Sequence, residues 1–185
     1  MTRLRPLPPD QLDGEQRRVY DAITTGPRAS ALQVVPLTDQ SGALRGPFGP
    51  MLLSPPVGEA LQALGSALRS GTVLSARIRE LAVLAVAQHW DSDFERYAHE
   101  LLARSIGLAD EQLAALRSGQ VPAELSPDEV TGLELARALL RGNAPEHLYD
   151  DCVTALGERA VFELSTLVGY YAGLALQLRL FDIGV

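Results

Sequence analysis

The chain of 185 residues contains no lysine, and all sixteen of its basic residues are arginine. Without a side-chain amine, a protein cannot form a Schiff base with a substrate or hold pyridoxal phosphate covalently. It also lacks the lysine of a Walker A phosphate loop. Catalysis by this chain must therefore use acid–base and electrostatic means, or a metal or cofactor that is bound without a covalent link.

Cysteine is almost absent as well. Cys152 is the only one, which excludes an intramolecular disulfide and a redox cycle between two cysteines of the chain. It lies in the helical pattern LYDDCVTAL, and we expect a buried, unreactive thiol there.

Neither a basic surface nor a clear membrane segment is found. The formal net charge of −7 argues against a nucleic-acid partner. The most apolar stretch, residues 160–178, contains Glu163 and is flanked by Arg159 and Arg179, which favours a buried core helix over a membrane span. The first residues lack the apolar region of a signal peptide. We therefore expect a cytoplasmic protein that binds neither nucleic acid nor a membrane.

The length and the apolar content of 46 % predict one soluble domain over residues 1–185. No segment alternates long enough to predict a strand, so the expected fold class is all-α, with about seven to eight helices. The predicted helices span 10–25, the Ser54 cap to about Gly71, 76–90, 92–106, 110–118, 127–141, 145–156 and 159–180. Ser75 is a predicted cap, and Ser126 to Glu129 is a predicted capping box. Residues 26–53 indicate a long functional or intersubunit loop.

The segment Arg79–His99 carries an unusual set of polar residues. Glu80 belongs to an apolar helix, and Ser92, Glu95 and His99 share an arc of about 60° on the next one. The same projection predicts a solvated face of Asp93, Arg96, Glu100 and Arg104, and a buried face of Phe94, Tyr97, Ala98, Leu101 and Leu102. Glu95 and His99 are thus predicted at the margin of the buried face, where a titratable pair can do chemistry.

Each of these residues also has a structural interpretation. Glu80 is either an acid–base carboxyl whose pKa is raised by apolar neighbours or an exposed partner of Arg77 or Arg79. His99 alone would be a satisfied core histidine. Glu95, four residues earlier, can orient the imidazole and raise its pKa, or act as a second acid–base group.

The remaining polar candidates give weaker signals. Ser92 is expected to cap its helix. His89 is expected to be favoured as a cation at a helix end, and His147 is expected to be exposed. Tyr170 and Tyr171 are expected in the core. Glu95 and His99 have the spacing Glu-x-x-x-His instead of the Glu-x-x-His of di-iron bundles, so no metal site is predicted.

The pattern E-x11-S-x2-E-x3-H resembles the signature of the carboxymuconolactone decarboxylase and AhpD-like superfamily. In the peroxidase branch the pattern is E-x11-C-x2-C-x3-H, so Ser92 and Glu95 stand here where that branch has its redox cysteines. The segments GPFGPMLLSPP (46–56), LGSALR (64–69), RELA (79–82) and GYYAGLALQLRLF (169–181) are similar as well. The resemblance covers a core of about 45–181, and residues 1–44 form an N-terminal extension of one helix and a loop.

This resemblance implies an AhpD-like helical homo-oligomer (dimer, trimer or hexamer) without a cofactor. The implied function is decarboxylation or related proton transfer on a small carboxylated lactone or enol-forming acid of the 4-carboxymuconolactone type, which would be a lyase of aromatic catabolism. The implied catalytic residues are His99, Glu80 and Glu95, with Glu80 as the proton-relay glutamate. The alternatives are an alkylhydroperoxidase, which the missing cysteines disfavour, and a non-catalytic small-ligand-binding protein.

Arginine is the residue type expected to hold a substrate carboxylate, because its guanidinium binds carboxylates bidentately. Arg45, next to the GPF segment, is the first candidate, and Arg77 and Arg79 are the others, although each could also be a solvated surface charge. The predicted substrate-binding residues are Arg45, Phe48, Ser92 and Trp90.

Overall fold

A computed structural model of the chain describes residues 2–26 and 35–185. These residues form nine α-helices, one short 3-10 helix and an isolated bridge between Thr38 and Leu44, which confirms the all-α prediction. The chain divides into two compact units. One comprises Met1–Gly71 and Gln177–Val185, and the other comprises Thr72–Leu176.

The first unit contains the 3-10 helix Pro9–Gln11 and the helices α1 (Gly14–Thr24), α2 (Phe48–Met51) and α3 (Pro55–Ser70). The prediction of one helix over 10–25 is wrong at its start. Asp13 accepts hydrogen bonds from the backbone N–H groups of Glu15 and Gln16, and this capping box fixes where α1 begins.

The predicted loop 26–53 contains a helix as well. The α2 turn precedes α3, and Gly58 of α3 lies so close to it that an added Cβ would be 2.1 Å from the carbonyl oxygen of Met51. Only glycine permits this approach. Ser54 stands at the N-cap position of α3, but its side chain makes no capping bond. Residues 27–34 of the predicted loop lie outside the described part of the chain.

The second unit contains the helices α4 to α8, namely Ala76–His89, Asp93–Ser105, Asp110–Arg117, Pro127–Leu140 and Glu146–Leu156, and most of α9 (Glu158–Leu180). Each of these helices begins and ends within one residue of its predicted position. The predicted caps account for this agreement. Ser75 accepts the N–H of Ile78, and the capping box of Ser126 and Glu129 is formed.

Helix α4 is the central helix of the second unit. It packs against α5, α6 and α7, and it is buried without interruption from Glu80 to Ala87. Gly132 lets α7 approach closely, because a Cβ there would be 3.0 Å from Cγ2 of Ile78. A helix that is covered on several sides is apolar nearly all round. Glu80 is therefore placed inside the unit and not at its surface.

The faces predicted for α5 are partly wrong. Tyr97 is 43 % exposed although it was assigned to the buried face, and Glu100 is 9 % exposed although it was assigned to the solvated one. Ala98, Leu101 and Leu102 are only half-buried. Buried Ser92, Glu95 and Ala103 define the inward face, so Glu95 lies within it and not at its margin. The inward position of Glu100 is permitted by Arg117 of α6, because a buried charge is tolerated when it is paired.

Helix α9 is long and apolar enough to cross a membrane by length and composition, with a mean hydropathy of 1.2. A single such helix is weak support for a span, because core helices of soluble proteins have the same properties. Leu164, Leu167 and Leu174 are buried, and Glu163 binds the N–H of Val73 and the Nε of Arg159. About 39 % of the most apolar window of α9 is buried, so the helix buries one side and not its whole circumference.

Cys152 is fully buried in α8, as predicted, and its Sγ lies 3.9 Å from the carbonyl oxygen of Thr131. Burial, assisted by the charges of Asp151 and Glu134, raises the pKa of this thiol to about 11. The thiolate, which is the reactive form, is therefore scarce at neutral pH.

Candidate active site

A tight turn between α4 and α5 positions the candidate site. Asp91 has a left-handed backbone conformation (φ 49°), which aspartate tolerates better than most residues. The N–H of Ser92 donates to the carbonyl of Ala87 (2.9 Å) and the N–H of Asp91 donates to that of Gln88 (3.4 Å), as in a Schellman motif. The two helices consequently fold back on each other as a hairpin, and α5 brings His99 next to α4.

His99 and Glu80 form a buried pair across this hairpin. Nδ1 of His99 lies 2.7 Å from Oε2 of Glu80, and the two side chains are 14 % and 8 % exposed. This geometry favours a hydrogen on Nδ1 that is donated to the Glu80 carboxylate, which leaves Nε2 as the nitrogen able to exchange a proton. The alternative pairing of Glu80 with Arg77 or Arg79 is not found among the described residues.

Tyr171 contacts the same imidazole. Its ring is perpendicular to that of His99 with the centroids 5.0 Å apart, and Tyr170 packs against Tyr171 at 5.3 Å. Tyr170 is buried, as predicted. Tyr171 is half-buried and contacts His99, so it adds to the candidate site a residue that was expected to pack in the core. No pattern in the sequence indicates this contact, because an apolar helix such as α9 does not reveal which residue faces His99.

Glu95 is 2 % exposed, and neither of its carboxyl oxygens has a hydrogen-bond partner among the residues described. Burial raises the pKa of this carboxyl to about 8, and the nearby Ser92 hydroxyl opposes the rise only in part. Glu95 is therefore mostly neutral at pH 7. Glu80, and not Glu95, orients His99, which corrects the expectation drawn from the i, i+4 spacing.

Ser92 occupies the N-cap position of α5, but its hydroxyl caps no backbone N–H, so the expected capping role is wrong. Its buried Oγ and the buried Nε1 of Trp90 also lack hydrogen-bond partners within the described part of the chain. The Trp90 ring packs edge-on against His89, at 5.2 Å between centroids. Four unpartnered buried polar atoms thus belong to a stretch of six residues, 90–95.

Two of the three candidate arginines have other partners. The Nε of Arg77 donates to Oε1 of Glu129 (2.5 Å), and Arg79 donates to the carbonyl of Leu74 (2.8 Å). Arg45 and Phe48 belong to the first unit and are half-buried, and their role in substrate binding stays a prediction.

The other titratable candidates lie outside the pair. His89 and His147 are both exposed, the latter as predicted. Within residues 2–26 and 35–185 no group of three or more His, Cys, Asp or Glu side chains is arranged to hold a metal ion.

Residues 55–138 match the sequence profile of the carboxymuconolactone decarboxylase family. The matched segment contains Glu80, Ser92, Glu95 and His99. The resemblance inferred from the spacing of these residues is therefore confirmed. A comparison with curated proteins finds no match.

Several solved structures share the fold. A protein of unknown function from Agrobacterium tumefaciens, provisionally described as the antioxidant defence protein AhpD, has a TM-score of 0.65 and 16 % identity, covering 75 % of this chain and 96 % of its own. The apo debrominase Bmp8 has a TM-score of 0.73 and 13 % identity, covering 97 % of this chain and 90 % of its own. An uncharacterized peroxidase-related protein from Silicibacter sp. TM1040 has a TM-score of 0.74 and 14 % identity, covering 98 % of this chain and 90 % of its own. At these identities the likeness shows the AhpD-like helical fold alone.

Proposed function

From the match of residues 55–138 to the carboxymuconolactone decarboxylase family, we propose that the chain is an enzyme that moves a proton to or from carbon. The proposed reaction is decarboxylation of a small carboxylated lactone or enol-forming acid of the 4-carboxymuconolactone type. The observation that carries the proposal is the buried contact of 2.7 Å between His99 and Glu80. A histidine that is oriented by a carboxylate is a suitable general acid or base.

The proposed reaction begins with cleavage of the bond between carbon and the substrate carboxylate. Carbon dioxide leaves, and the electron pair of that bond is delocalised into a carbonyl group, directly or through a conjugated double bond, as an enolate or dienolate. His99, protonated at Nε2, then donates a proton to carbon as the enolate returns to the carbonyl form. The imidazole regains its proton from water. One proton is consumed, and one carbon dioxide is released per turnover.

Glu80 supports this step without touching the substrate. Its carboxylate accepts the hydrogen bond from Nδ1 and thereby holds His99 in one tautomer and one orientation. The side chains of His99 and Glu80 are only 14 % and 8 % exposed, so little water reaches the pair. Exclusion of water strengthens the electrostatic interactions inside the site.

The structural neighbours suggest other chemistries on this fold. A thiol peroxidase is disfavoured, because Ser92 and Glu95 replace the redox cysteines and the only thiol, Cys152, is buried. The debrominase is known in complex with 2,3,4-tribromopyrrole, a small planar ring, and this is consistent with a small planar substrate here. We also propose that the chain is a cytoplasmic homo-oligomer, which light scattering of the purified protein would test.

The test is turnover of 4-carboxymuconolactone, followed by ultraviolet absorbance and by carbon dioxide release, with a chelator present and no thiol. We expect His99→Asn to lower the rate by about 10²–10⁴-fold, the usual contribution of a positioned acid or base. Glu80→Gln should also lower the rate, because the imidazole loses its charged partner.

The matched control is His147→Asn, since His147 is exposed at the start of α8 and should not affect turnover. Full activity of His99→Asn, or no turnover by the wild type, would contradict the proposal. Peroxide reduction that needs a thiol and disappears in Cys152→Ser would support the peroxidase instead.

A further inference from the structure

The structure assigns to Glu95 and Ser92 a role of their own: the carboxylic acid and the hydroxyl donate hydrogen bonds to the oxygen atom of an enolate-like ligand. The ligand class is a small planar oxyanion, such as an enolate, a dienolate or a phenolate. This inference rests on the proposed function, because a decarboxylation that leaves an enolate needs such donors. It goes beyond it by separating the group that binds oxygen from the group that protonates carbon.

Buried polar atoms without hydrogen bonds mark the start of α5. Both oxygens of Glu95 and the Oγ of Ser92 are buried and have no hydrogen bond of acceptable geometry within the described residues, and the nearby Ser92 hydroxyl only partly offsets the effect of burial on the pKa of Glu95. Burial of a polar atom without a partner destabilises the fold, so native proteins rarely retain it without a reason. Three such atoms on neighbouring turns of one helix start are therefore best explained by a ligand that supplies the missing partner.

The surroundings of Glu95 offer it no positive charge from an arginine. Burial is the main cause that raises the pKa of Glu95, and no arginine is among the causes that act on it. Arg96, the nearest arginine in sequence, binds Asp91 at 2.8 Å. The titratable groups of the site are His99 on the same helix, Glu80 from α4 and Tyr171 from α9, and His99 and Glu80 are paired with each other. Glu95 is thus kept as a neutral acid, which can donate a hydrogen bond.

The position of Glu95 relative to His99 suits a shared ligand. Glu95 precedes His99 by one helical turn, a spacing that places their Cβ atoms about 5–6 Å apart on one face. A planar ligand on that face can meet the acid with its oxygen and Nε2 of His99 with a carbon a few bonds away. Negative charge that develops on the oxygen would be met by donors already in place, which favours the transition state over the ground state. A buried, protonated carboxylic acid is an established donor to enolates in other enzymes.

The probe for this inference is 4-nitrophenol, because its phenolate absorbs visible light and mimics a planar enolate. Trp90, the only tryptophan, lies beside the site and reports binding by fluorescence quenching. Addition of the wild-type protein at constant pH should increase the phenolate absorbance, because the donors stabilise the ionised form. Binding should weaken as the pH rises through about 8, where Glu95 loses its proton.

Two substitutions of Glu95 distinguish hydrogen-bond donation by a neutral side chain from binding that requires a negatively charged carboxylate. Glu95→Leu should weaken binding at least about tenfold, equivalent to roughly 1.4 kcal/mol. Glu95→Gln keeps a donor in its amide N–H, so it should bind the phenolate within about threefold of the wild type, without the decline above pH 8. Ser92→Ala should weaken binding about threefold to tenfold, as for loss of one neutral donor.

Several results would overturn the inference. These are absence of phenolate binding by the wild type, unchanged binding in Glu95→Leu, and equal loss in Glu95→Gln and Glu95→Leu, since equal loss would mean that an ionised carboxylate is needed. Circular dichroism melting of each variant checks that it is folded. His99→Asn should still bind the probe but lose turnover. If the probe binds as expected while 4-carboxymuconolactone is not consumed, the proposed reaction fails and the oxyanion site stands. If turnover occurs but substitutions of Glu95 do not change the binding of the probe, only this inference fails.

Discussion

Glu95 and Glu100 are two buried carboxyls on helix α5, five residues apart, in opposite surroundings. Glu100 receives two hydrogen bonds from the guanidinium of Arg117, at 2.5 and 2.6 Å, and a longer one from Arg104 at 3.5 Å. The hydrogen bond from Arg117 is the main cause that lowers the pKa of Glu100. Glu95 has no such partner, and burial raises its pKa to about 8.

The difference separates a structural carboxylate from one available for chemistry. Glu100 uses its charge to fasten α5 to Arg117 at the end of α6. Its hydrogen-bonding capacity is largely taken, so a ligand would have to break existing bonds. The carboxyl oxygens of Glu95 make no hydrogen bonds, and this lowers the stability of the fold, which is not expected of a purely structural residue. Burial alone therefore does not distinguish the two carboxyls, whereas the presence or absence of a partner does.

The largest effect on stability is expected when the paired carboxylate loses its partner. Arg117→Ala leaves Glu100 buried with only the longer contact to Arg104, and it should lower the free energy of unfolding by about 3 kcal/mol at pH 7. The estimate is at the lower end for a broken buried pair because the Arg117 side chain is 44 % exposed. Urea unfolding followed by circular dichroism measures the change.

A second substitution sharpens this prediction. Adding Glu100→Gln to Arg117→Ala removes the stranded charge and should restore part of the lost stability. Arg141→Ala, at an exposed arginine of the same unit, is the control and should change stability by less than about 0.5 kcal/mol. If Arg117→Ala is as stable as the wild type, the pair of Glu100 and Arg117 does not stabilise the fold. Glu100 then cannot serve as the structural carboxylate in the comparison with Glu95.

The opposite change is expected at the unpartnered carboxyl. The folded-state pKa of Glu95, about 8, lies above its ordinary value of 4.5. As the pH rises between these values, the unfolded chain releases the proton and the folded chain retains it, so stability falls. Glu95→Gln removes this penalty and should stabilise the protein by about 2 kcal/mol above pH 8, with almost no effect near pH 4.

Thermal unfolding of wild type and Glu95→Gln across that pH range measures the difference. Glu134→Gln, on an exposed face of α7, should shift stability by less than about 0.5 kcal/mol throughout. A stabilisation by Glu95→Gln that is the same at pH 4 and pH 8 would show that the ionisation of Glu95 is not its cause.

The helix limits of the second unit were predictable because they depend on neighbours in sequence. Ser75 and the Ser126–Glu129 capping box act within one helical turn, and Gly107 and Gly142 adopt the left-handed conformation that ends a helix. The prediction for α1 does not include the capping box of Asp13, and the predicted helix is consequently too long.

The site was predictable only as a group of residues. Spacing placed Ser92, Glu95 and His99 on one face, and the family resemblance added Glu80. The choice of Glu80 as the partner of His99, the contact with Tyr171 and the inward position of Glu100 depend on how neighbouring helices are rotated. Helical periodicity in one segment carries no information about the residues that another helix presents to it. Tertiary partners, and not propensity, decided which polar side chains of α5 face inward.

The smallest effect on stability is expected at Asp110, which contacts Arg104 on the outer side of Glu100. The Nε of Arg104 lies 2.8 Å from Oδ1 of Asp110, a contact nearly as short as those of Arg117, but these side chains are 40 % and 75 % exposed. Water competes for both groups, so Asp110→Asn should lower the free energy of unfolding by no more than about 0.5 kcal/mol, and less at high salt. Urea unfolding at low and high salt, beside Arg117→Ala, tests this. Equal losses in the two variants would mean that distance and not burial determines the contribution of a carboxylate pair here, and the contrast between Glu95 and Glu100 would then need another cause.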